Sequence, residues 1–295
     1  MEEENALKIS SIIKLMRPHQ YIKNLFIFAP LFFMMQIGDI PLLTQATLAF
    51  IAFSLTSSAV YILNDYHDIE EDREHPEKRY RPLASGAISK PQAIIIMLVL
   101  FIIGFTLMTS LSVNAAGILA VYVTMNIAYS AYLKHVAIMD VVIISIGFVL
   151  RLFVGSAVTD IGLSMWIVIM TFLLALFMAL AKRRDDVLIY NDTGKKMRKV
   201  IDGYNLQFLD TAMTIMASVV IVAYIIYTTS PEVTTRVNSE YLYLTAFFVI
   251  IGVMRYLKMV FVFKKSGSPT KIILNDLFMQ LILLGWILTF GWILY

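Results

Sequence analysis

The sequence predicts an all-α, polytopic membrane protein, a bundle of nine transmembrane helices with loop caps on its cytoplasmic side, and three observations predict it. Hydrophobic residues fill 59% of the 295 positions and charged residues only 15%, below the roughly one-quarter charged content of soluble domains. Apolar stretches approaching the roughly 20 residues that a spanning helix needs recur along almost the whole chain. Lysine and arginine gather in alternate interruptions between those stretches. One membrane domain covering 1–295 accounts for everything. The chain has no cysteine, which excludes disulfides, thiol nucleophiles and cysteine-held metals.

Taken in order, the polar start (Glu2, Glu3, Glu4, Lys8, Lys14, Arg17) lacks a small-residue cleavage site and reads as retained, not as a signal peptide. The expected spans are 22–36, 43–64, 91–111, 115–133, 139–158, 164–181, 208–228, 241–263 and 272–294. The gaps 38–41, 112–114 and 159–162 hold no Lys or Arg, and 229–240 holds only Arg236. The opposite side holds Lys8, Lys14, Arg17, Lys23, Arg73, Lys78, Arg79, Arg81, Lys90, Lys134, Lys182, Arg183, Arg184, Lys195, Lys196, Arg198, Lys199, Lys258, Lys264, Lys265 and Lys271. The positive-inside rule makes that side cytoplasmic, with the N-terminus inside and Tyr295 outside, so the protein is expected in the inner, cytoplasmic membrane. Most of these cations need no role beyond orientation and attraction to anionic lipid.

Two cytoplasmic loops, 64–90 and 182–207, go further. They lie four helices apart, which hints at a duplicated four-helix unit. In the first, Asn64, Asp68 and Asp72 recur at i, i+4 and i+8 if the second span continues past the membrane, and Asp65 lies three residues before Asp68. One helical face then carries three carboxylates and an amide. Like charges at that spacing repel unless a cation sits among them. An oxygen-only donor set favours Mg²⁺, or Mn²⁺, over Zn²⁺. Mg²⁺ completes its shell with water and substrate phosphate, so a diphosphate is the expected ligand. Arg73, Lys78, Arg79 and Arg81 follow at once, and His75–Pro76 ends the helix, because a residue before proline is pushed out of the helical region. His67 reads as a bystander.

The run Asn64-Asp65-x-x-Asp68-x-x-x-Asp72 resembles the first aspartate motif of the UbiA superfamily of intramembrane prenyltransferases. Further stretches resemble the decaprenyl-phosphate phosphoribosyltransferase branch: Arg17 to Asn24, Asp72 to Pro82, Leu133-Lys134-His135, Leu150-Arg151, Ala181-Lys182-Arg183 and Gly194 to Tyr204. The resemblance implies a nine-helix UbiA-like bundle with Mg²⁺ held by Asn64, Asp65, Asp68 and Asp72. It implies a pentosyltransferase moving 5-phosphoribosyl from phosphoribosyl diphosphate to a polyprenyl phosphate, for cell-envelope glycan precursors. Prenyl-diphosphate users carry a second Asp-x-x-x-Asp motif after the sixth helix. Here that loop opens with Lys182, Arg183 and Arg184 and lacks the spacing, although Asp185, Asp186 and Asp192 remain possible metal helpers. A basic opening suits a second phosphate.

On that reading Asp65, Asp68, Asp72 and Asp140 are the candidate catalytic carboxylates. Lys23, Arg73, Lys78, Arg81, Lys134, Arg151, Lys182 and Arg183 are the candidate phosphate ligands. Asp140 and Arg151 are eleven residues apart, about three helical turns or roughly 16 Å on one face, with Gly147 between them. Arg151 then lies deep in the membrane, where a cation marks a cavity or is tied to a helix carbonyl or carboxylate. Arg255 is accounted for by snorkelling, and Asp276 by a polar pocket or by the helix dipole. The partners are the two substrates and the membrane, with no nucleic acid, and the sequence is compatible with a homo-oligomer. Two alternatives stay open: prenyl transfer from a prenyl diphosphate to an aromatic acceptor, and a transporter, whose site would instead lie near the bilayer midplane.

Overall fold

The computed structural model describes residues 2–74, 78–194, 199–263 and 275–294. His75, Pro76, Lys195, Lys196, Arg198, Lys264, Lys265, Lys271 and Ser268-Pro269-Thr270 lie outside the described residues. Among the described residues every regular element is helical. The α-helices are α1 (Glu2–Met16), α2 (Ala29–Phe33), α3 (Ile40–His67), α4 (Ile69–Glu74), α5 (Lys90–Leu111) and α6 (Val113–Ala131). They continue with α7 (Met139–Thr159), α8 (Met165–Thr193), α9 (Leu206–Thr229), α10 (Pro231–Val237), α11 (Thr245–Phe261) and α12 (Leu277–Leu294). Eight helices among the described residues are long and apolar enough to cross a membrane: α3, α5 to α9, α12, and a span Tyr241–Phe261 that ends in α11. The chain is an integral membrane protein.

The first expected span, 22–36, differs from the rest. It is a 3₁₀ segment, Pro18–Phe28, followed by the five-residue α2. Arg17 enters it in the left-handed region (φ 55, ψ 57), and Pro18 and Pro30 each remove a backbone donor. Side chains hold what the backbone ladder does not. Asn24 donates to Ser54 at 2.9 Å, Tyr21 and Ser58 share a hydrogen bond of 2.9 Å, and Ser58 donates to the Met16 carbonyl at 2.7 Å. The second difference is α8, expected to end at 181 but helical to Thr193. Arg183 and Asp186 pair one turn apart inside it, and Gly194, left-handed at φ 66, stops it.

The chain divides into two compact units, residues 1–134 with 147–163, and residues 135–146 with 164–295. In the first, α3 packs on α5 through small residues. Ala49, Ala52, Ala59 and Thr56 are buried, and a Cβ on Gly104 would lie 2.3 Å from Thr56 Oγ1 and 3.0 Å from the Ala52 carbonyl. Close approach of this kind drives helix association where lipid removes the hydrophobic drive. Side-chain caps fix the helix starts: Asp39 for α3, Ser89 with Gln92 as a capping box for α5, and Ser112 for α6. In the second unit, Phe177, Leu180, Ile201, Leu209, Met213, Val220, Tyr256 and Val260 form a core joining α8, α9 and α11.

Candidate active site

In the first unit α3 and α4 are nearly one helix. Asp68 sits at the joint (φ −96, ψ 10), its N–H reaches the Asn64 carbonyl at 3.0 Å, and the Asp72 N–H reaches the Asp68 carbonyl at 2.8 Å. The helical spacing read from the sequence therefore persists across the joint, and Asp65 and Asp72 meet at one cation. Arg81 Nη1 donates to Asp65 at 3.0 Å and to Asp72 at 2.6 Å. Both carboxylates are buried, 3% and 2% exposed. Asp65 also accepts from Arg17, whose guanidinium lies over the Tyr61 ring, and Lys78 Nζ is 3.9 Å from Asp72. Asp68 is 28% exposed and pairs with Lys134 at 2.6 Å, while Asn64 accepts from Ser130.

Among the described residues, four cations thus contact three carboxylates. Among the described residues no group of three or more acidic, histidine or cysteine side chains is arranged to hold a metal by itself. The donor set nevertheless fits Mg²⁺, which takes one or two carboxylates and leaves the rest of its shell to water and phosphate oxygen. Arg73, expected on phosphate, pairs with Glu70 at 3.0 Å and donates to the Ala84 carbonyl at 3.2 Å.

Arg151, also expected on phosphate, lies inside the same unit. It is 5% exposed, with Nε on Asn24 Oδ1 at 2.8 Å and Nη1 on the Gly147 carbonyl at 2.6 Å. Gly147 and Gly155 flank it one turn to either side. A Cβ at Gly155 would fall 2.1 Å from the Ile27 carbonyl oxygen, so only glycine lets the 3₁₀ segment lie against α7. Lys23, next to Asn24, stands within electrostatic reach of Arg151 and Arg17.

The second unit holds a separate polar cluster. Asp140, fully buried in the first turn of α7, accepts from Arg183 Nε and from the Tyr204 hydroxyl at 2.6 Å. Arg183 also donates to Asp186 at 2.9 Å. Burial, and then the hydrogen bond to Asp140, push the Tyr204 phenol well above its usual range, so it remains a donor. Arg184 pairs with Asp210 at 2.5 Å, donates to the Val260 carbonyl at 3.1 Å and lies over the Phe261 ring. Lys182, by contrast, is exposed. Arg255 is bound to Asp276 at 2.6 Å, and Asp276 accepts from the Met279 N–H, so an ion pair and a helix cap replace snorkelling and a polar pocket.

Sequence reasoning left out Arg17, Asn24, Ser130 and Tyr204 as site residues. Arg17, Asn24 and Tyr204 lie at the ends of stretches that carried the family resemblance, which is the signal that points to them. Nothing in the sequence marks Ser130.

The profile of the UbiA prenyltransferase family matches residues 25–282. The chain is 31% identical over 297 residues to a decaprenyl-phosphate phosphoribosyltransferase of Mycolicibacterium smegmatis, covering 97% of this chain and 93% of that one. It is likewise 31% identical over 287 residues to the protein of that name in Mycobacterium tuberculosis, covering 96% and 94%. Its fold is similar to that of a UbiA homolog from Archaeoglobus fulgidus solved with DMAPP and Mg²⁺, with a TM-score of 0.70 at 16% identity over 96% of this chain and 98% of that one.

Proposed function

The chain belongs to the UbiA prenyltransferase family, and from that membership we propose that it transfers the 5-phosphoribosyl group of phosphoribosyl diphosphate to a polyprenyl phosphate of decaprenyl type. Diphosphate is released, and the product feeds cell-envelope glycan precursors. The reaction takes place at the cytoplasmic face of the inner membrane, the side on which Arg17, Lys78, Arg81 and Lys134 are placed by the charge rule. The full-length likeness to two decaprenyl-phosphate phosphoribosyltransferases supports this reading. The observation that carries it in the structure is the surplus of cations on Asp65, Asp68 and Asp72. A cluster that is over-neutralised before substrate arrives suits a ligand with several negative charges.

The transfer breaks the bond from ribose C1 to the diphosphate oxygen and forms one from C1 to the lipid phosphate oxygen. The lipid phosphate has a second pKa of about 6 and is already mostly the oxyanion at neutral pH, so no side chain has to remove a proton. The chain's task is then to bind, orient and balance charge. Asn64, Asp65, Asp68 and Asp72 would hold Mg²⁺, or Mn²⁺, which when bound neutralises the diphosphate leaving group. Arg81, Lys78, Lys134 and Lys23 bind phosphate oxygens, and the carboxylates steady the positive charge that develops on the sugar ring. Lys182, exposed on the long helix α8 of the second unit, is a further candidate phosphate ligand.

The test is to incubate detergent-purified protein with Mg²⁺, labelled phosphoribosyl diphosphate and a polyprenyl phosphate, and to follow label into the lipid. Asp68→Asn is expected to abolish the labelled product while leaving the fold intact. A chain that never labels the lipid, yet joins a prenyl diphosphate to an aromatic acid, overturns the proposal.

A further inference from the structure

A guanidinium in the interior of a membrane-spanning helix is ordinarily paired with an acid or set in a polar pathway, because the bare charge is costly there. Arg151 is held differently. Its nitrogens bond the Asn24 amide oxygen and the Gly147 carbonyl, and its guanidinium carbon lies 4.8 Å from the Phe53 ring centre, 5.1 Å from Tyr122 and 5.5 Å from Phe148. Among the described residues each of these contacts is neutral. Asn24 is itself 1% exposed, and its amide nitrogen is anchored on Ser54 at 2.9 Å and Ser57 at 3.5 Å. This fixes which amide atom faces the arginine, since the nitrogen end is taken by hydroxyl acceptors. Aspartate has nearly the same shape as asparagine and would complete a buried ion pair here. The amide orients the guanidinium just as well but leaves its charge uncancelled.

The uncancelled charge has neighbours. Lys23 adjoins Asn24 in the chain, and both Arg151 and Arg17 act on it electrostatically. Gly155 brings the 3₁₀ segment that carries Lys23 hard against α7, the helix that carries Arg151. Cations held together in a water-poor interior repel one another, and an anion placed among them relieves that repulsion.

We propose that Asn24 is a positioning residue that holds Arg151 in place without neutralising it, so that Arg151 and Lys23 together attract a phosphate group of a substrate. The inference rests on the phosphoribosyl-transfer reading for the identity of the substrates, whose phosphates are the lipid monoester or the donor's diphosphate. Its own content is the sign of the field, which binding measures without turnover.

The experiment compares the native chain with Asn24→Asp and Arg151→Gln in detergent. Binding of inorganic diphosphate and of a short-chain prenyl phosphate is measured at two salt concentrations, with KM and kcat for the two substrates where turnover is detectable. Asn24→Asp is expected to keep or raise the apparent Tm, because it completes an ion pair. It is expected to weaken one of the two probes about tenfold or more, raise the matching KM more than it lowers kcat, and flatten the salt dependence. The probe that weakens identifies whether the lipid phosphate or the diphosphate lies nearest Arg151. Arg151→Gln keeps a donor for Asn24 and removes the charge, so it is expected to weaken the same probe, and it decides the matter if Asn24→Asp does not fold. Unchanged affinity for both probes in a folded variant overturns the proposal and leaves Asn24 a structural tie. Failure of the native chain to label lipid overturns the reaction assignment instead, while the binding arms still judge the clamp.

Discussion

Replacing Arg81 with glutamine tests what keeps the carboxylates of the first unit together. Its Nη1 serves Asp65 at 3.0 Å and Asp72 at 2.6 Å, both nearly inaccessible to water. Removing one partner of a fully buried ion pair costs about 3–5 kcal/mol. Here Asp65 keeps Arg17 and Asp72 keeps Lys78 at 3.9 Å, which places the loss lower, at about 2–3 kcal/mol. A divalent cation bound among the same carboxylates offsets a loss of that size, because a ligand at 100 times its Kd adds about 2.7 kcal/mol. Arg81→Gln is therefore expected to melt well below the native protein without Mg²⁺ and to approach it as Mg²⁺ is raised. The native protein, whose carboxylates are already paired, is expected to gain less. The assay is thermal unfolding in detergent across a Mg²⁺ series, with NaCl added to hold ionic strength constant so that general screening does not contribute. A variant that melts with the native protein at every Mg²⁺ concentration refutes the claim that Arg81 holds the pair together. A loss that Mg²⁺ leaves untouched refutes the assignment of Asp65 and Asp72 to a cation site.

Other substitutions probe the scaffold and the second cluster. Gly155→Ala drives a methyl group into the Ile27 carbonyl, and overpacking of this kind costs about 1–3 kcal/mol or more. It is expected to lower the melting temperature, whereas Gly117→Ala, inside α6 with open space around it, keeps or slightly raises it. Gly104→Ala, which meets Thr56 and the Ala52 carbonyl, should behave like Gly155→Ala, and a neutral result would show that α3 and α5 are less tightly packed than described. Tyr204→Phe removes a hydrogen bond to the buried Asp140 at a cost of about 1–3 kcal/mol. Because the folded-state pKa of Tyr204 is raised, its contribution is full below the unfolded tyrosine value of about 10 and is lost as pH climbs above it. Alkaline melts should thus steepen for the native chain relative to Tyr204→Phe, and parallel curves would contradict the Asp140 contact.

Much of this molecule was legible from local pattern, and what was not depended on distant partners. The carboxylate spacing of Asn64, Asp65, Asp68 and Asp72 carried through the α3–α4 joint because helix periodicity is a local property. The apolar character of 22–36 was equally clear, but hydropathy measures what a segment buries, and the 3₁₀ conformation is set by Pro18, Pro30 and hydroxyls some thirty positions later. The run after 181 read as a loop because it is charged, yet Arg183 with Asp186 and Arg184 with Asp210 satisfy those charges and let α8 continue. A basic triplet looks the same in sequence whether its members are buried on carboxylates or face outward. Only the fold separates exposed Lys182 from buried Arg183 and Arg184.

The bond between Asn24 and Arg151 joins positions 127 residues apart, and that separation bears on how the protein is made. Asn24 is synthesised long before α7 leaves the ribosome, so α7 has to enter the bilayer on its own merits. Its arginine opposes insertion by about 2.5–3.5 kcal/mol at mid-helix, while each Leu, Ile, Val or Phe favours it by about 0.3–0.6 kcal/mol. The helix has such residues at Val141, Val142, Ile143, Ile144, Ile146, Phe148, Val149, Leu150, Leu152, Phe153 and Val154, and its mean hydropathy is 2.4 over the best window. Together these residues offset the cost of the arginine before any partner is met, and the arginine finds its amide afterwards, during lateral assembly in the lipid. Biogenesis separates into two stages here, and a substitution that removes the Asn24 side-chain oxygen acts in the second: the polypeptide would reach the membrane with its normal threading and falter only in docking.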